Sequence, residues 1–218
     1  LLGMGIPYQY VADGAPSYPR GFKAVADAKG ALSAQLSWTT PSVNYLGAAL
    51  TGLTGTKVYR NNQLVYTSTE TTQGKVVAWT DKPATDGYYI YKVVPYNAVG
   101  DGVYKEFAAY VGEDLPGEPQ NVTLTTHGGN AEITWAAPAK GKHGGYFDNT
   151  TLKYNVVRMP DNKVVVEGTT SLRATDAVSV QKGYSYVITA VNKKGVGASA
   201  TSKTLSFGPE DSVPFTSS

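Results

Sequence analysis

The sequence contains no cysteine, and this absence narrows both its chemistry and the ways it can be stabilised. Disulfides, thiolate catalysis and zinc sites built on cysteine are excluded. Secreted animal receptor ectodomains usually carry disulfides, so a cysteine-free chain is more typical of a bacterial envelope protein or an intracellular one. Charge is also scarce, at 17% of residues with a formal net charge of +2. Because no basic stripe is present to neutralise phosphates, we expect no nucleic-acid partner.

Long apolar runs are missing as well. No stretch approaches the ~20 residues needed to cross a bilayer, so no membrane insertion is predicted for this fragment. The start at Leu1-Leu2-Gly3 leads us to expect a segment trimmed from a longer chain, with any signal peptide outside this segment. The 218 residues are instead 41% apolar, with 24 glycines and 16 tyrosines. This composition predicts short strands and tight turns in one large or two small domains.

The sequence matches itself at an offset of about 97 residues. LSWTTP, which begins at Leu36, matches ITWAAP, which begins at Ile133. YIYKVVPYNAVGDG from Tyr89 matches YSYVITAVNKKGVG from Tyr184. We therefore predict a lead-in strand or linker over 1–16, a first domain over 17–113, a second over 114–208, and over 209–218 a linker to a downstream domain.

Alternation of apolar and polar residues predicts strands in each repeat. Leu36 and Trp38 share one face of a half-buried strand, and Pro41 ends it because proline cannot donate to a central ladder. Asn61-Asn62, which tolerates positive φ, predicts a hairpin turn. In the strand beginning at Tyr88, every second residue faces inward, and these residues include Tyr89 and Tyr91. A tyrosine at the start of a strand can also use its hydroxyl to bond the preceding corner. The predicted structural core includes Trp38, Tyr89, Tyr91, Trp135, Tyr184 and Tyr186.

This pattern resembles the fibronectin type III family. The resemblance is carried twice, by a tryptophan on the second strand, a proline after it, a corner tyrosine and an Asn-x-x-Gly-x-Gly turn. These residues are Trp38 and Trp135, Pro41 and Pro138, Tyr89 and Tyr184, Asn97 and Asn192. The resemblance implies an all-β fold of two tandem seven-stranded immunoglobulin-like β-sandwiches over about residues 17–208.

Residues suited to catalysis or metal binding are few. His127 and His143 are the only histidines, and they are expected at opposite ends of a strand, too far apart to share a metal. Asp81 and Asp176 are interpreted as turn residues that bond their own backbone. The acidic joint 113–118 offers too few oxygen ligands for calcium and is expected to be a solvated, stiff linker. No enzyme activity, cofactor or metal is predicted.

Surface tyrosines are the remaining candidates for recognition, since exposed aromatics can stack on sugars or anchor a protein interface. They could equally cover a sandwich edge. The loops 42–55 and 139–151 are expected at one end of their sandwiches, where such folds place recognition. The candidate binding residues are Tyr45, Tyr59, Tyr66, Tyr88, Tyr96, Tyr104 and Tyr146.

Two functions fit these features. The first is a non-enzymatic adhesion or ligand-binding module of a bacterial cell-surface or secreted multidomain protein, extracellular or periplasmic, with an unknown protein or carbohydrate ligand. The alternative is a rigid spacer that presents a neighbouring catalytic or carbohydrate-binding domain of the same chain. A cytokine-receptor-type ectodomain is disfavoured, because its disulfides and its Trp-Ser-x-Trp-Ser signature are absent.

Overall fold

The structure, a computed structural model, describes residues 9–179 and 182–207. The chain divides into two compact units, Leu1–Gly112 and Glu113–Ser218. Every regular element within the described ranges is a β-strand. Across the same ranges, no helix has the length and apolar character to cross a membrane.

The first unit builds two antiparallel sheets from seven strands. The three-stranded sheet has the order β1-β2-β5 and the four-stranded sheet the order β4-β3-β6-β7. The strands are β1 (Arg20–Ala26), β2 (Ala34–Thr39), β3 (Gly55–Arg60), β4 (Gln63–Ser68), β5 (Val76–Asp81), β6 (Gly87–Tyr96) and β7 (Lys105–Val111).

The second unit repeats this arrangement, with sheet orders β12-β9-β8 and β11-β10-β13-β14. It contains β8 (Gln120–His127), β9 (Asn130–Ala136), β10 (Lys153–Met159), β11 (Lys163–Thr169), β12 (Arg173–Ala177), β13 (Gly183–Asn192), β14 (Gly195–Thr201) and β15 (Leu205–Ser206). The fold class implied by the resemblance, two tandem β-sandwiches, is confirmed.

The second unit differs by one short strand. Its last ladder is interrupted where the Ser202 hydroxyl accepts the backbone N–H of Tyr186 at 2.9 Å, a bond that a neighbouring carbonyl would otherwise take. The chain then resumes pairing with the start of β13 as β15, through Tyr184 and Leu205. A serine at this point therefore divides one expected strand into two.

Each unit has its own hydrophobic core between its sheets. In the first, Leu36 and Trp38 from the three-stranded sheet pack with Val58, Tyr91 and Val93 from the four-stranded one. The second core is built around Ile133, Trp135, Tyr154, Tyr184, Tyr186 and Ile188. Both tryptophans are nearly inaccessible, at 1% exposed for Trp38 and 5% for Trp135.

Local signals also act as the sequence indicates. Asn61 and Asn62 have φ values of 48° and 64°, the two positive angles that a tight hairpin turn requires between β3 and β4. The half-buried Tyr89 donates its hydroxyl to the carbonyl of Thr85 at 2.7 Å, which ties the start of β6 to its preceding corner. Tyr184 is instead fully buried, with its ring beside that of Phe207 and the Arg158 guanidinium 4.4 Å from its centroid.

The segments at the two chain ends are only partly described. Of the expected lead-in over 1–16, residues 9–16 run as irregular chain with one isolated bridge between Pro16 and Asn44. The expected linker over 209–218 lies outside the described residues.

Candidate binding surface of the first unit

The seven candidate tyrosines lie in several places. Tyr45 and Tyr146 occupy loops of different units, and they are 48% and 37% exposed. Tyr88, 54% exposed, lies near the start of β6, on its outward side. The other outward-facing candidates of the first unit are Tyr59 on β3, Tyr96 at the end of β6, and Tyr104, directly before β7.

Tyr66 belongs to the sandwich rather than to a binding surface. Its ring stacks on that of Trp79, with centroids 4.6 Å apart and planes inclined by 2°. Both rings pack against the core of the first unit, from β4 of one sheet and β5 of the other. This pair covers the sandwich edge, which is the alternative role considered for the tyrosines.

Strand alternation builds the outward face around Lys92. Tyr91 and Val93 of β6 face the core, so Lys92 and Val94 point away from it. Lys92 pairs across the sheet with Tyr59 on β3 and with Glu106 on β7. Its ammonium lies 4.9 Å from the ring centroid of Tyr59 and 5.2 Å from that of Tyr104. These distances place the cation within reach of two aromatic rings.

A second cation lies beside the third tyrosine. The Lys57 ammonium is 4.9 Å from the ring centroid of Tyr96, and it donates to a carboxylate oxygen of Asp101 at 2.7 Å. The hydrogen bond to Asp101 raises the pKa of the Lys57 amine above its ordinary value. The Lys57 amine is therefore charged at neutral pH, and its bond to Asp101 fixes one end of the face.

The segment before the first strand helps to shape the surface. The Gln9 side-chain amide donates to the carbonyl of Gly102 and accepts the backbone N–H of Tyr104, the latter at 3.3 Å. This pair of bonds holds the chain on which Tyr104 sits. A groove of about 430 Å³ results, and we call it the tyrosine–lysine groove. It is lined by Gln9, Tyr59, Asn62, Lys92, Val94, Asp101, Tyr104 and Glu106.

The same face of the second unit has different chemistry. In place of the Tyr59–Lys92 pair it carries a pair of valines, Val157 and Val187. The next row of that sheet holds Thr189 and Ser199, whose hydroxyls are 2.6 Å apart. The tyrosine–lysine groove is therefore a feature of the first unit alone among the two matched faces.

Sequence reasoning missed the polar residues of this face. It identified Tyr59, Tyr96 and Tyr104, but not Lys57, Lys92, Asp101 or Glu106. Period-two alternation could have found the lysines, since Lys57 lies two residues from Tyr59 and Lys92 four from Tyr96 on the same strand faces. The contributions of Gln9, Asp101 and Glu106 depend on contacts distant in sequence.

Asp81 and Asp176 are not ordinary turn residues, which corrects the interpretation from sequence. Each is 3% exposed and accepts a hydrogen bond from a buried tyrosine hydroxyl, that of Tyr91 at 2.6 Å and of Tyr186 at 2.7 Å. Arg60 donates to both carboxylate oxygens of Asp81, at 2.7 and 2.8 Å. Burial turns each aspartate into an internal acceptor that joins the two sheets.

The second cluster has more donors than the first. The Asp176 carboxylate accepts hydrogen bonds from Arg158 at 2.9 Å and from Lys163 at 2.6 Å, in addition to the bond from the Tyr186 hydroxyl. Burial acts to raise the pKa of the Asp176 carboxyl, but the hydrogen bonds from Lys163, Tyr186 and Arg158 outweigh it, and the pKa lies below its ordinary value. The carboxylate is therefore fully ionised at neutral pH.

This lowered pKa predicts an acid-dependent stability for the second unit. A carboxyl whose folded pKa is below its unfolded value, about 3.9, stabilises the fold above that pH and loses this contribution as the pH falls through the folded pKa. We expect amide-exchange protection in β13 to fall between neutral pH and about pH 3. Asp176→Asn should flatten this dependence, and an equally steep fall in that variant would contradict the assignment.

The acidic joint also differs from the expected solvated linker. Asp114 is 0% exposed, and its carboxylate accepts the backbone N–H of Leu115, His143 and Gly145 at 2.7, 2.7 and 3.0 Å. The Nδ1 atom of His143 is a further 2.8 Å contact. Asp114 therefore organises the loop between β9 and β10 from a position before β8.

In each unit the asparagine of the Asn-x-x-Gly-x-Gly turn is bonded to a chain segment distant in sequence. Asn97 donates its side-chain N–H groups to the carbonyls of Gly14 and Gly52, both at 3.0 Å, and Asn192 donates to Asp148 at 3.0 Å. The final glycine is required for close approach, because a Cβ on Gly102 would lie 2.2 Å from the carbonyl oxygen of Pro16. The motif thus fixes the loop end of the sandwich.

No metal-binding cluster occurs in the part of the chain that the structure describes, since groups of three or more His, Cys, Asp or Glu side chains do not converge there. The carboxylates of Asp81, Asp114 and Asp176 instead accept hydrogen bonds that hold sheets and loops together. Their arrangement supplies stability and shape.

Comparisons with known proteins bear on the fold. No family model matches the chain, and no curated protein matches it. Solved structures that resemble it include fibronectin type III tandems. The FN1–FN3 domains of chicken CNTN1 are 14% identical, with a TM-score of 0.35, over 88% of this chain and 66% of that one. Domains d3–d4 of the rat CD45 extracellular region are 12% identical, with a TM-score of 0.36, over 47% and 55%.

The chain thus spans less than two thirds of either structure. The fold of this chain is defined by the strand order, which is the same in both units apart from β15, and by the matching register of the central pairs β3–β6 and β10–β13.

Proposed function

We propose that the chain is a non-enzymatic ligand-binding module and that the tyrosine–lysine groove is its recognition surface. The observation that supports this most directly is the contrast between the two units. Equivalent positions on equivalent sheets carry Tyr59 and Lys92 in the first unit and Val157 and Val187 in the second. Because both faces have the same backbone frame, strand geometry alone does not require aromatic and charged residues there.

The biological setting is part of the same proposal. Tandem sandwiches, a tyrosine-rich surface and a cysteine-free sequence favour an adhesion or ligand-binding role in a bacterial cell-surface or secreted multidomain protein. In this proposal the domains over 17–113 and 114–208 are joined to flanking domains of the same chain.

A binding screen with paired variants tests the proposal. The purified chain would be applied to an array of glycans and matrix proteins, with Tyr59→Ala and Tyr104→Ala combined as the groove variant. We expect a ligand whose affinity falls at least ~10-fold in this variant, because truncated aromatic anchors commonly cost more than 1 kcal/mol. Tyr45→Ala and Tyr146→Ala, which alter exposed loop tyrosines, are the matched controls.

The alternative function, a rigid spacer for a neighbouring domain, makes the opposite prediction. A spacer needs folded units and stiff joints, but it needs no particular side chains in the tyrosine–lysine groove. Absence of binding across the array, or binding that is unchanged in the groove variant, would favour the spacer.

A further inference from the structure

The charges around the tyrosine–lysine groove restrict the ligand that it can recognise. The charged lining residues are Lys92, Asp101 and Glu106, and Lys57, which is paired with Asp101 beside the groove, brings the formal charge of this set to zero. Lys57 and Asp101 are already bonded to each other at 2.7 Å. A surface without a net field has little long-range preference for an anion or a cation. The balance therefore favours an uncharged, polar ligand.

The size of the groove and the position of its charges argue against a protein partner. Specific protein interfaces bury about 800 Å² on each side, and Lys, Glu and Asp are depleted from their centres. In this groove Lys92 and Glu106 line the surface itself, as cross-strand neighbours. Its volume of about 430 Å³ is within the range of pockets for small ligands.

The lining groups match the hydroxyls of a sugar. Each sugar hydroxyl can both donate and accept, and the groove offers an ammonium on Lys92, carboxylates on Asp101 and Glu106, and an amide on Asn62. The Lys92 ammonium has three N–H donors, and its approach to the Asn62 side-chain oxygen is a long 3.5 Å. A ligand oxygen can compete with so weak a contact.

The tyrosines supply the apolar part of such a site. The ring faces of aromatic side chains carry partial negative charge, and the C–H bonds on one face of a pyranose ring are complementary to it. Tyr59 on β3 and Tyr104, directly before β7, flank Lys92, with its ammonium 4.9 and 5.2 Å from their centroids. A sugar that displaces the Lys92 ammonium from these ring faces would have its C–H surface on tyrosine and its hydroxyls on the ammonium and the carboxylates.

We propose that the tyrosine–lysine groove binds a neutral oligosaccharide, with one or two pyranose units held between Tyr59 and Tyr104. Lys92 and Asn62 are the hydroxyl partners on one side, and Glu106 is the partner on the other. This inference rests on the proposed function and narrows its ligand from protein or glycan to an uncharged glycan.

The test is a titration of the whole ¹⁵N-labelled chain with neutral hexasaccharides of glucose, xylose, mannose and N-acetylglucosamine, followed by NMR. We expect at least one of them to shift the amide signals around Lys92 and Tyr104 at millimolar concentration. Tyr104→Ala should weaken that binding at least ~10-fold, whereas Tyr59→Phe, which keeps the ring, should preserve most of it. Val157→Ala, at the matched position of the second unit, should leave it unchanged.

Three results would overturn the inference. One is binding by sulfated or uronic-acid oligosaccharides with no response to neutral ones. Another is a set of shifts confined to loops or to the second unit. The last is no response to any saccharide. If a protein found in the array screen still loses affinity in the groove variant, the proposed function stands and only the ligand class is wrong. If nothing binds at the groove, both fail.

Discussion

Asp81→Ala is expected to destabilise the first unit by about 3–5 kcal/mol, the range for removing one partner of a buried ion pair. The substitution leaves the Arg60 guanidinium, whose side chain is 23% exposed, without the carboxylate it contacts at 2.7 and 2.8 Å. It also removes the acceptor of the buried Tyr91 hydroxyl, at 2.6 Å. Urea unfolding, followed by NMR signals of each unit separately, measures the loss and should show the second unit unaffected.

The equivalent change in the second unit should have a smaller effect. Asp176→Ala leaves Arg158 bonded to Asp161, with the shortest contact at 2.6 Å, so its charge keeps a partner. We expect the free energy of unfolding to fall by about 2–3 kcal/mol, mainly because the Tyr186 hydroxyl loses its acceptor and Lys163 loses its ion-pair partner. An equal or larger loss for Asp176→Ala than for Asp81→Ala would contradict the proposed role of Asp161.

A volume-conserving apolar replacement provides the control for the first prediction. Combining Arg60→Met, Asp81→Leu and Tyr91→Phe removes the charges together and leaves no buried group without a partner. Replacing a buried polar network by apolar residues of similar size is often neutral or stabilising. The triple variant should therefore recover most of the stability lost in Asp81→Ala. A loss as large as in the single variant would show that the cluster itself is strongly stabilising.

Local sequence patterns predict the strands and cores of this protein well, because alternation along each strand determines which side chains face inward. Alternation marks the inward Trp38 and Tyr91, and Asn61-Asn62 marks the hairpin through its positive φ angles. The same alternation places Asp81 on the face of Trp79, and Arg60 on the face of Val58. Strand parity thus predicts that Asp81 and Arg60 face inward. An aspartate beside a turn more commonly bonds its own backbone, which is why the sequence alone favours that role.

Other features depend on contacts that no local pattern records. The break between β14 and β15 follows from one serine hydroxyl that takes a ladder bond. The tyrosine–lysine groove needs Gln9, from the segment before β1, to hold the chain that carries Tyr104. The resemblance between the repeats predicts that their backbones are equivalent. The proposed binding function depends instead on side chains that differ at equivalent positions, such as Tyr59 and Val157.

Asp114→Gly is expected to destabilise the second unit by about 2–4 kcal/mol, because it removes the acceptor of three backbone N–H groups and a histidine contact. The matching loop of the first unit is built in another way. There, Asn44 lies within the loop, and its side-chain oxygen accepts the N–H groups of Leu46 and Ala48, each at 3.0 Å.

The two loops share one backbone arrangement. Asn44 bonds the carbonyl of Ala48 through its own N–H at 2.8 Å, and Gly141 bonds that of Gly145 at 3.0 Å. Gly47 and Gly144, at the same point of each turn, have φ values of 87° and 84°. The acceptor is therefore supplied from inside the loop in one unit and by Asp114, from the preceding segment, in the other.

This exchange of acceptors predicts a rescue. In the native chain, Gly141→Asn should destabilise the second unit, since a Cβ there would lie 2.5 Å from the Asp114 carboxylate. In the Asp114→Gly background the same substitution restores the arrangement that Asn44 makes in the first unit. It should recover at least about half of the lost stability. The Gly145 carbonyl oxygen, also 2.5 Å from the new Cβ, must shift slightly to make room. Gly141→Asn is thus expected to destabilise the second unit when residue 114 is aspartate and to stabilise it when residue 114 is glycine. A double-mutant cycle of urea unfolding measures this coupling, and additive losses would show that the two acceptors are not interchangeable.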